Sequence, residues 1–176
     1  MIVSAATFSL SQARECLNRW PERHPFATMN RAWVGFYTDA GDASPLGPAL
    51  VGVDGPACVV RMADVDLEGW RMHREQFGAS TCDLAPTIEH ARRIVRGVLA
   101  LHAAPVEYAL AVHCHKGLWR SGSVVEWVRT DLGVPESSES ERIVECGNDS
   151  RTYNATLLRL LREAHAEMSA GAKVTR

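Results

Sequence analysis

The sequence predicts a single α/β domain, a three-layer sandwich in which helices flank a mainly parallel central sheet. Two observations favour this fold class. Segments with strand character alternate with segments of helical periodicity along most of the 176 residues, a pattern typical of parallel sheets with helical connections. In addition, residues 107–113 (EYALAVH) are apolar almost throughout, as in strands covered on both faces. Residues 1–176 are therefore expected to form one domain, with a frayed tail over 169–176.

The first half of the chain contains three predicted strands and one predicted helix. Residues 1–9 (MIVSAATFS) indicate an opening strand, and residues 10–20 (LSQARECLNRW) indicate a helix. A second strand is predicted over 32–39 (AWVGFYTD). The Gly-, Pro- and Asp-rich residues 40–57 are predicted to be mostly loop. A third strand is predicted over 57–63 (ACVVRMA), a short apolar run with β-branched residues between turn residues.

The second half continues the alternation. Residues 86–104 (PTIEHARRIVRGVLALHAA) predict a helix with an apolar face and an opposite face rich in arginine. The apolar strand follows, and then residues 121–133 (SGSVVEWVRTDLG) predict a helix closed by a glycine. Residues 134–150 form an acidic, Ser-rich connection. Residues 154–168 (NATLLRLLREAHAEM) predict a final amphipathic helix that packs on the sheet.

Composition excludes several classes of function. With 46% hydrophobic and 23% charged residues, the chain is expected to bury a sizeable core. A formal net charge of -2 gives no long-range attraction to nucleic acid or to acidic membranes. We expect neither a signal peptide nor a membrane span. The five cysteines include no CxxC pair, which argues against a disulfide framework and a zinc site and favours a reducing, cytoplasmic setting.

The segment with the most specific chemistry is HCHKGLWRSG, residues 113–122. Cys114 follows the apolar strand, and Arg120 stands where the next helix begins. Backbone N–H groups of such a loop, together with the helix N-terminus, can surround an anion. Gly117 permits a backbone conformation that a β-carbon would hinder. Arg120 offers a planar two-pronged donor to phosphate oxygens. This positive environment favours the thiolate of Cys114, so the pattern indicates phosphoryl transfer through a phosphocysteine. The alternative is a buried thiol without chemistry.

These residues resemble the signature of the cysteine-dependent protein tyrosine phosphatases, His-Cys-x5-Arg-Ser/Thr-Gly. The compact layout is similar to the dual-specificity branch and to small bacterial tyrosine-phosphatase-like proteins, with the resemblance covering residues 58–133 and the flanks only loosely. It implies a catalytic nucleophile at Cys114, a phosphate clamp at Arg120 and a donor to the sulfur at Ser121, with His113 tuning the thiolate. The residues that would cradle the substrate beside Arg120 are His115, Lys116, Gly117, Leu118 and Trp119.

Two loop residues depart from the family pattern. Lys116 stands where many members have alanine, and its charge would favour a highly anionic substrate. Trp119 is bulky for the position before the arginine. It would either form a wall for an aromatic substrate or fill the mouth of the site. In the second case the protein would bind phosphate without turning it over.

The general acid that protonates the leaving oxygen must come from another part of the chain. Asp64 is favoured, because it closes the third predicted strand and would face the same crevice as Cys114 if the two strands were neighbours. Asp66 follows two residues later and is less constrained. Asp83 is the second choice, since its separation from Cys114 is closer to that in dual-specificity members, but an Asp before a helix is commonly a cap. Residues 65–85 would then form a lid.

The sequence therefore predicts a phosphomonoesterase, most specifically a tyrosine or dual-specificity phosphatase. Its expected partners are a phosphorylated protein or a small phosphate ester, with no nucleic acid, membrane, metal or other cofactor. The oligomeric state is left open. The alternative is a phosphate-recognising module without turnover. A rhodanese-type sulfur transferase is a weaker third hypothesis, because the Arg-Ser-Gly entry to the helix suits phosphate better.

Overall fold

The computed structural model of the protein describes residues 1–19, 30–37, 57–62, 85–138, 140–141 and 152–174. The strands are β1 (Ile2–Phe8), β2 (Asn30–Tyr37), β3 (Ala57–Arg61) and β4 (Tyr108–His113). The helices are α1 (Leu10–Arg19), α2 (Ile88–His102), α3 (Trp119–Asp131) and α4 (Ala155–Val174). Their order follows the prediction. Most of the predicted loop over 40–57 and of the predicted lid over 65–85 lies outside the described residues.

The four strands form one sheet in the order β1-β4-β2-β3, and every neighbouring pair is parallel. The register pairs Phe8 of β1 and Gly35 of β2 with His113 of β4, and Tyr37 of β2 with Arg61 of β3. The carboxyl ends of all four strands consequently lie along one edge of the sheet, which is where ligands bind in this class. The predicted α/β fold with a parallel sheet is confirmed.

Helices pack on both faces of the sheet. Successive residues of a strand point to opposite faces, and the buried apolar side chains accordingly form two clusters. The larger cluster contains Leu110 and Val112 of β4 together with residues of α2, α3 and α4. The smaller cluster joins Ala111 and Trp33 to Ala13 of α1. Burial of β4 on both faces explains why its sequence is continuously apolar.

The free edge of β1 is covered by the segment that follows α3. The N–H of Ala5 donates to the carbonyl oxygen of Pro135 at 3.0 Å, and the N–H of Ser137 donates to the carbonyl oxygen of Ala5 at 2.7 Å. Further along, the N–H of Thr7 donates to Oγ of Ser140 at 2.9 Å. We call residues 135–138 and 140–141 the edge segment. It satisfies backbone groups of β1 that an open sheet edge would leave unpaired.

The helices differ from the prediction mainly at their ends. Thr87 caps α2, with its hydroxyl accepting from the N–H of His90 while the His90 ring accepts from the N–H of Thr87. This capping box was not recognised in the sequence, because histidine replaces the usual Glu or Gln. The helix α4 continues to Val174, six residues beyond the predicted end of this helix at Met168. Within the described part of the chain, no helix is both long and apolar enough to cross a bilayer.

Candidate functional site

The loop that connects β4 to α3 lies at the carboxyl edge of the sheet. It runs from Cys114 to Leu118, and α3 begins at Trp119 rather than at Ser121 as predicted. Arg120 therefore belongs to the first turn of the helix. The N–H groups of a first helical turn have no partner within the helix and carry partial positive charge. Cys114 and Arg120 are thus located where the sequence predicts, at the end of a strand and the start of a helix.

The thiol of Cys114 is buried against the first turn of α3. Cys114 is a free cysteine with only 1% of its surface exposed. Its Sγ lies 3.2 Å from Oγ of Ser121, which is itself fully buried. At this distance the hydroxyl can donate a hydrogen bond to a thiolate or to a sulfur that leaves a bond. The predicted pairing of Ser121 with the cysteine sulfur therefore has suitable geometry.

Arg120 crosses from α3 to the end of β3. Only 4% of the residue is exposed, and its Nη1 donates a 2.6 Å hydrogen bond to the carbonyl oxygen of Met62, the residue after β3. The expected position of Asp64 near Cys114 requires β3 and β4 to be neighbours. They are not, because β2 lies between them. The side chain of Arg120 instead reaches past β2 and contacts the residue that follows β3.

Gly117 allows the loop to pack directly on the turn between β1 and α1. Its φ angle is 76°, in the left-handed region that favours glycine. A β-carbon at this position would lie 2.7 Å from the N of Ser9, 2.8 Å from the C of Phe8 and 3.0 Å from Oε2 of Glu141. The backbone angle requires glycine, as predicted from the sequence, and the lack of space requires it as well.

The outer side of the loop is open to solvent. His115 and Lys116 are exposed, Leu118 is half-buried, and Trp119 has 47% of its surface exposed. No backbone N–H of residues 116–119 donates to another residue in the described ranges. Backbone N–H groups without a protein partner are the kind of donor that an oxyanion-binding loop uses. Trp119 is not buried in the core, so its indole is accessible at the rim of the loop.

His113 is a buried neutral histidine beneath the site. It is 4% exposed, and neither ring nitrogen has a hydrogen-bond partner among the described residues. Burial and, to a lesser degree, the charge of Arg120 lower its pKa from 6.5 to about 4. Its edge faces the Trp33 ring, with the ring centroids 6.4 Å apart. At neutral pH the uncharged ring can influence Cys114 through packing and orientation, but not as a cation.

Gly35 and Glu141 are two further residues at this site that are not among the residues predicted from the sequence. A β-carbon on Gly35 would lie 2.5 Å from Nε2 of His113, so the histidine ring occupies the space that a side chain on β2 would need. A glycine within a strand pattern is a known sign of a close approach, and this signal was available. Glu141 lies in the acidic connection, where no local pattern distinguishes it from its neighbours.

The three candidate acids, Asp64, Asp66 and Asp83, lie outside the described residues. Asp64 is separated by one residue from Met62, whose carbonyl oxygen binds Arg120.

Across the ranges that the structure does describe, no group of three or more His, Cys, Asp or Glu side chains is arranged to hold a metal ion. Comparison of the chain with models of protein families, with curated proteins and with solved structures finds no match in any of the three.

Replacing Gly35 by alanine is expected to destabilise the protein. The new methyl group would meet the His113 ring at 2.5 Å, and overpacking of a buried site costs about 1–3 kcal/mol. The matched control is Gly97→Ala in α2, where a β-carbon meets nothing within 4 Å and where alanine should add about 0.5–1 kcal/mol of stability. Urea unfolding of both variants measures the difference, and equal stabilities would contradict the close approach of Gly35 and His113.

The buried His113 should make stability depend on pH. Between pH 6.5 and about 4, this histidine is protonated in the unfolded chain, where its pKa is 6.5, but not in the folded protein. Stability is therefore greatest above pH 6.5 and declines between these two values, by at most about 3 kcal/mol for this residue. Urea unfolding from pH 4 to 7 should show a smaller decline for His113→Phe than for the wild type. An NMR titration in which the His113 ring protonates near its ordinary pKa would contradict this.

Proposed function

We propose that the protein is a phosphomonoesterase that acts through a phosphocysteine intermediate, as in the protein tyrosine phosphatases that its His-Cys-x5-Arg-Ser-Gly segment resembles. One observation carries the proposal. A buried Cys114 and a buried Arg120 flank a loop at the carboxyl end of a central parallel strand, and Sγ of the cysteine lies 3.2 Å from the hydroxyl of Ser121. This arrangement supplies a nucleophile, a cation and a donor to the leaving sulfur around one loop.

In the first step, the thiolate of Cys114 attacks the phosphorus atom and the bond from phosphorus to the ester oxygen breaks. The guanidinium of Arg120 is a planar cation with five N–H donors, and we assign to it the binding of two oxygens of the phosphoryl group. The N–H groups of residues 116–119 bind the remaining charge. Donors that are already in position need little reorganisation when charge develops in the transition state.

The leaving oxygen takes a proton from a carboxylic acid, for which Asp64 is our first assignment. The hydrogen bond between Arg120 and the carbonyl oxygen of Met62 supports this choice, because Met62 is only two residues before Asp64 in the chain. In the second step, the same carboxylate takes a proton from water, the oxygen of that water attacks phosphorus, and the bond from sulfur to phosphorus breaks. Ser121 donates to the departing thiolate, and inorganic phosphate is released.

The rim of the loop favours an aromatic, anionic substrate. The indole of Trp119 is half-exposed next to Arg120, and an accessible aromatic ring offers a flat apolar surface to another ring. Lys116, also exposed, adds a positive charge on the same loop. Phosphotyrosine in a protein combines an aryl group with a dianion, so it is the leading substrate. Phosphoserine or phosphothreonine proteins and small phosphate esters are the other candidates.

Hydrolysis of an aryl phosphate in the presence of a chelator tests the proposal. The wild type should turn over, and Cys114→Ser should reduce the rate to background because the attacking thiolate is lost. Asp64→Asn should lower kcat by about 10²- to 10⁴-fold, the usual contribution of a general acid. Asp83→Asn is the matched control and should leave kcat close to that of the wild type.

Three results of this assay would contradict parts of the proposal. A wild type as inert as Cys114→Ser would rule out the phosphatase, and calorimetric binding of inorganic phosphate by that inert protein would favour a phosphate-recognising module. If Asp83→Asn were impaired while Asp64→Asn was not, the acid would be Asp83. If both aspartate variants kept full activity, Asp66 would be the next residue to replace.

The two possible roles of Trp119 give opposite results on substitution. If the indole packs against an aromatic substrate, Trp119→Ala should lower kcat/KM for an aryl phosphate by about 3- to 10-fold relative to an alkyl phosphate. The control is Val106→Ala, which replaces another exposed apolar side chain away from the loop. An equal increase in kcat/KM for both substrates would instead show that the indole obstructs the mouth of the site.

A further inference from the structure

The turn after β1 is the surface on which the candidate phosphate loop rests. Two of its three successive residues are hydrogen bonded to the loop itself. The carbonyl oxygen of Phe8 accepts from the N–H of Cys114 at 3.3 Å, and the N–H of Leu10 donates to the carbonyl oxygen of His115 at 3.2 Å. The N–H of Ser9 lies between these two contacts. The position of the loop therefore depends on how this turn is held.

The N–H of Ser9 donates to the carboxylate of Glu141. The distance from the Ser9 nitrogen to Oε2 of Glu141 is 2.6 Å, and Ser9 is buried. A β-carbon on Gly117 would lie 2.7 Å from this nitrogen and 3.0 Å from the same carboxylate oxygen. The backbone of the loop thus covers the contact between Ser9 and Glu141. Without Glu141, a buried N–H would be left without an acceptor directly under the loop, which is costly.

The edge segment delivers Glu141 to this position. Hydrogen bonds along β1 fix the segment up to Ser140, whose hydroxyl lies 2.5 Å from Oγ1 of Thr7 and 2.7 Å from Oε1 of Glu136. Both hydroxyl groups are in buried residues. Glu141 is the next residue, so its side chain starts from a backbone that is already anchored. An anchored start reduces the conformational entropy that the side chain loses when it binds Ser9.

We propose that Glu141 is a positioning residue for the candidate phosphate loop. Its carboxylate binds the turn after β1 from below. This turn holds Cys114, His115 and Gly117 at the spacing that the loop needs to bind an oxyanion. The positioning of the loop is independent of any chemistry. Its consequence, a higher affinity for phosphate, rests on the proposed function.

Amide hydrogen exchange tests the positioning role without reference to activity. The amides of Ser9, Leu10 and Cys114 are the reporters, because each one donates in these contacts. Glu141→Ala should speed their exchange by about 10-fold. Glu141→Gln keeps a neutral oxygen acceptor and should stay within about 2-fold of the wild type. The matched control, Glu163→Ala, removes an exposed carboxylate on α4 and should leave the three amides unchanged.

Two exchange results would overturn the proposal. The first is that the three amides exchange in Glu141→Ala at the wild-type rate. The second is that they exchange as fast in Glu141→Gln as in Glu141→Ala. If Glu141→Ala does not fold, Glu141→Asp replaces it. This side chain is one methylene shorter, so it should release the same three amides, and wild-type exchange in the folded variant would count against the proposal.

Calorimetric titration with inorganic phosphate measures the functional consequence. The dissociation constant should rise by about 10-fold in Glu141→Ala and by less than about 2-fold in Glu141→Gln. A dissociation constant unchanged in Glu141→Ala would overturn the link between positioning and affinity. If the wild type bound no phosphate while Glu141→Ala still released the three amides, the proposed function would fail and the positioning role would stand. The two failures are therefore distinguishable.

Discussion

The burial of the Arg120 guanidinium is the constraint on which the other features of the site depend. A cation with only 4% of its residue exposed must be hydrogen bonded, and the carbonyl oxygen of Met62 supplies one of these contacts. Burial lowers the pKa of His113, and the charge of Arg120 lowers it further, so the ring is neutral at pH 7. A buried positive charge beside an open loop favours the binding of an anion. One buried cation therefore acts both on the histidine and on an anion at the loop.

The order of the strands makes this contact possible. β4 lies inside the sheet and delivers Cys114 to the carboxyl edge, whereas β3 lies at the far side of β2. Arg120 must therefore reach across the end of β2 to meet Met62. Gly35 in β2 leaves the space that the His113 ring occupies. The contact between Arg120 and Met62 and the packing of His113 on Gly35 consequently join β4, β2 and β3, and a residue larger than glycine at position 35 would displace the histidine.

Backbone contacts, more than side-chain contacts, hold the loop in place. Gly117 lies against the peptide between Phe8 and Ser9, closer than any residue with a β-carbon could approach. The contacts of Cys114 and His115 with the same turn are also made by backbone groups. Such a loop tolerates variation at its exposed positions, since their side chains do not support it. Trp119 and Lys116 can thus differ from the pattern of the phosphatase family without disturbing the shape of the loop.

The sequence by itself determined the fold class, the succession of strands and helices along the chain, and the location of Cys114 and Arg120 between β4 and α3. These features depend on the periodicity of apolar residues and on a local motif, and both are properties of contiguous residues. The tertiary structure alone decided the arrangement of the strands within the sheet, the contact of Arg120 with Met62, the packing of Gly35 on His113 and the position of Glu141 below Gly117. Each of these joins residues far apart in the chain. Such pairings depend on how the elements pack together, and a single sequence carries no periodic signal for them.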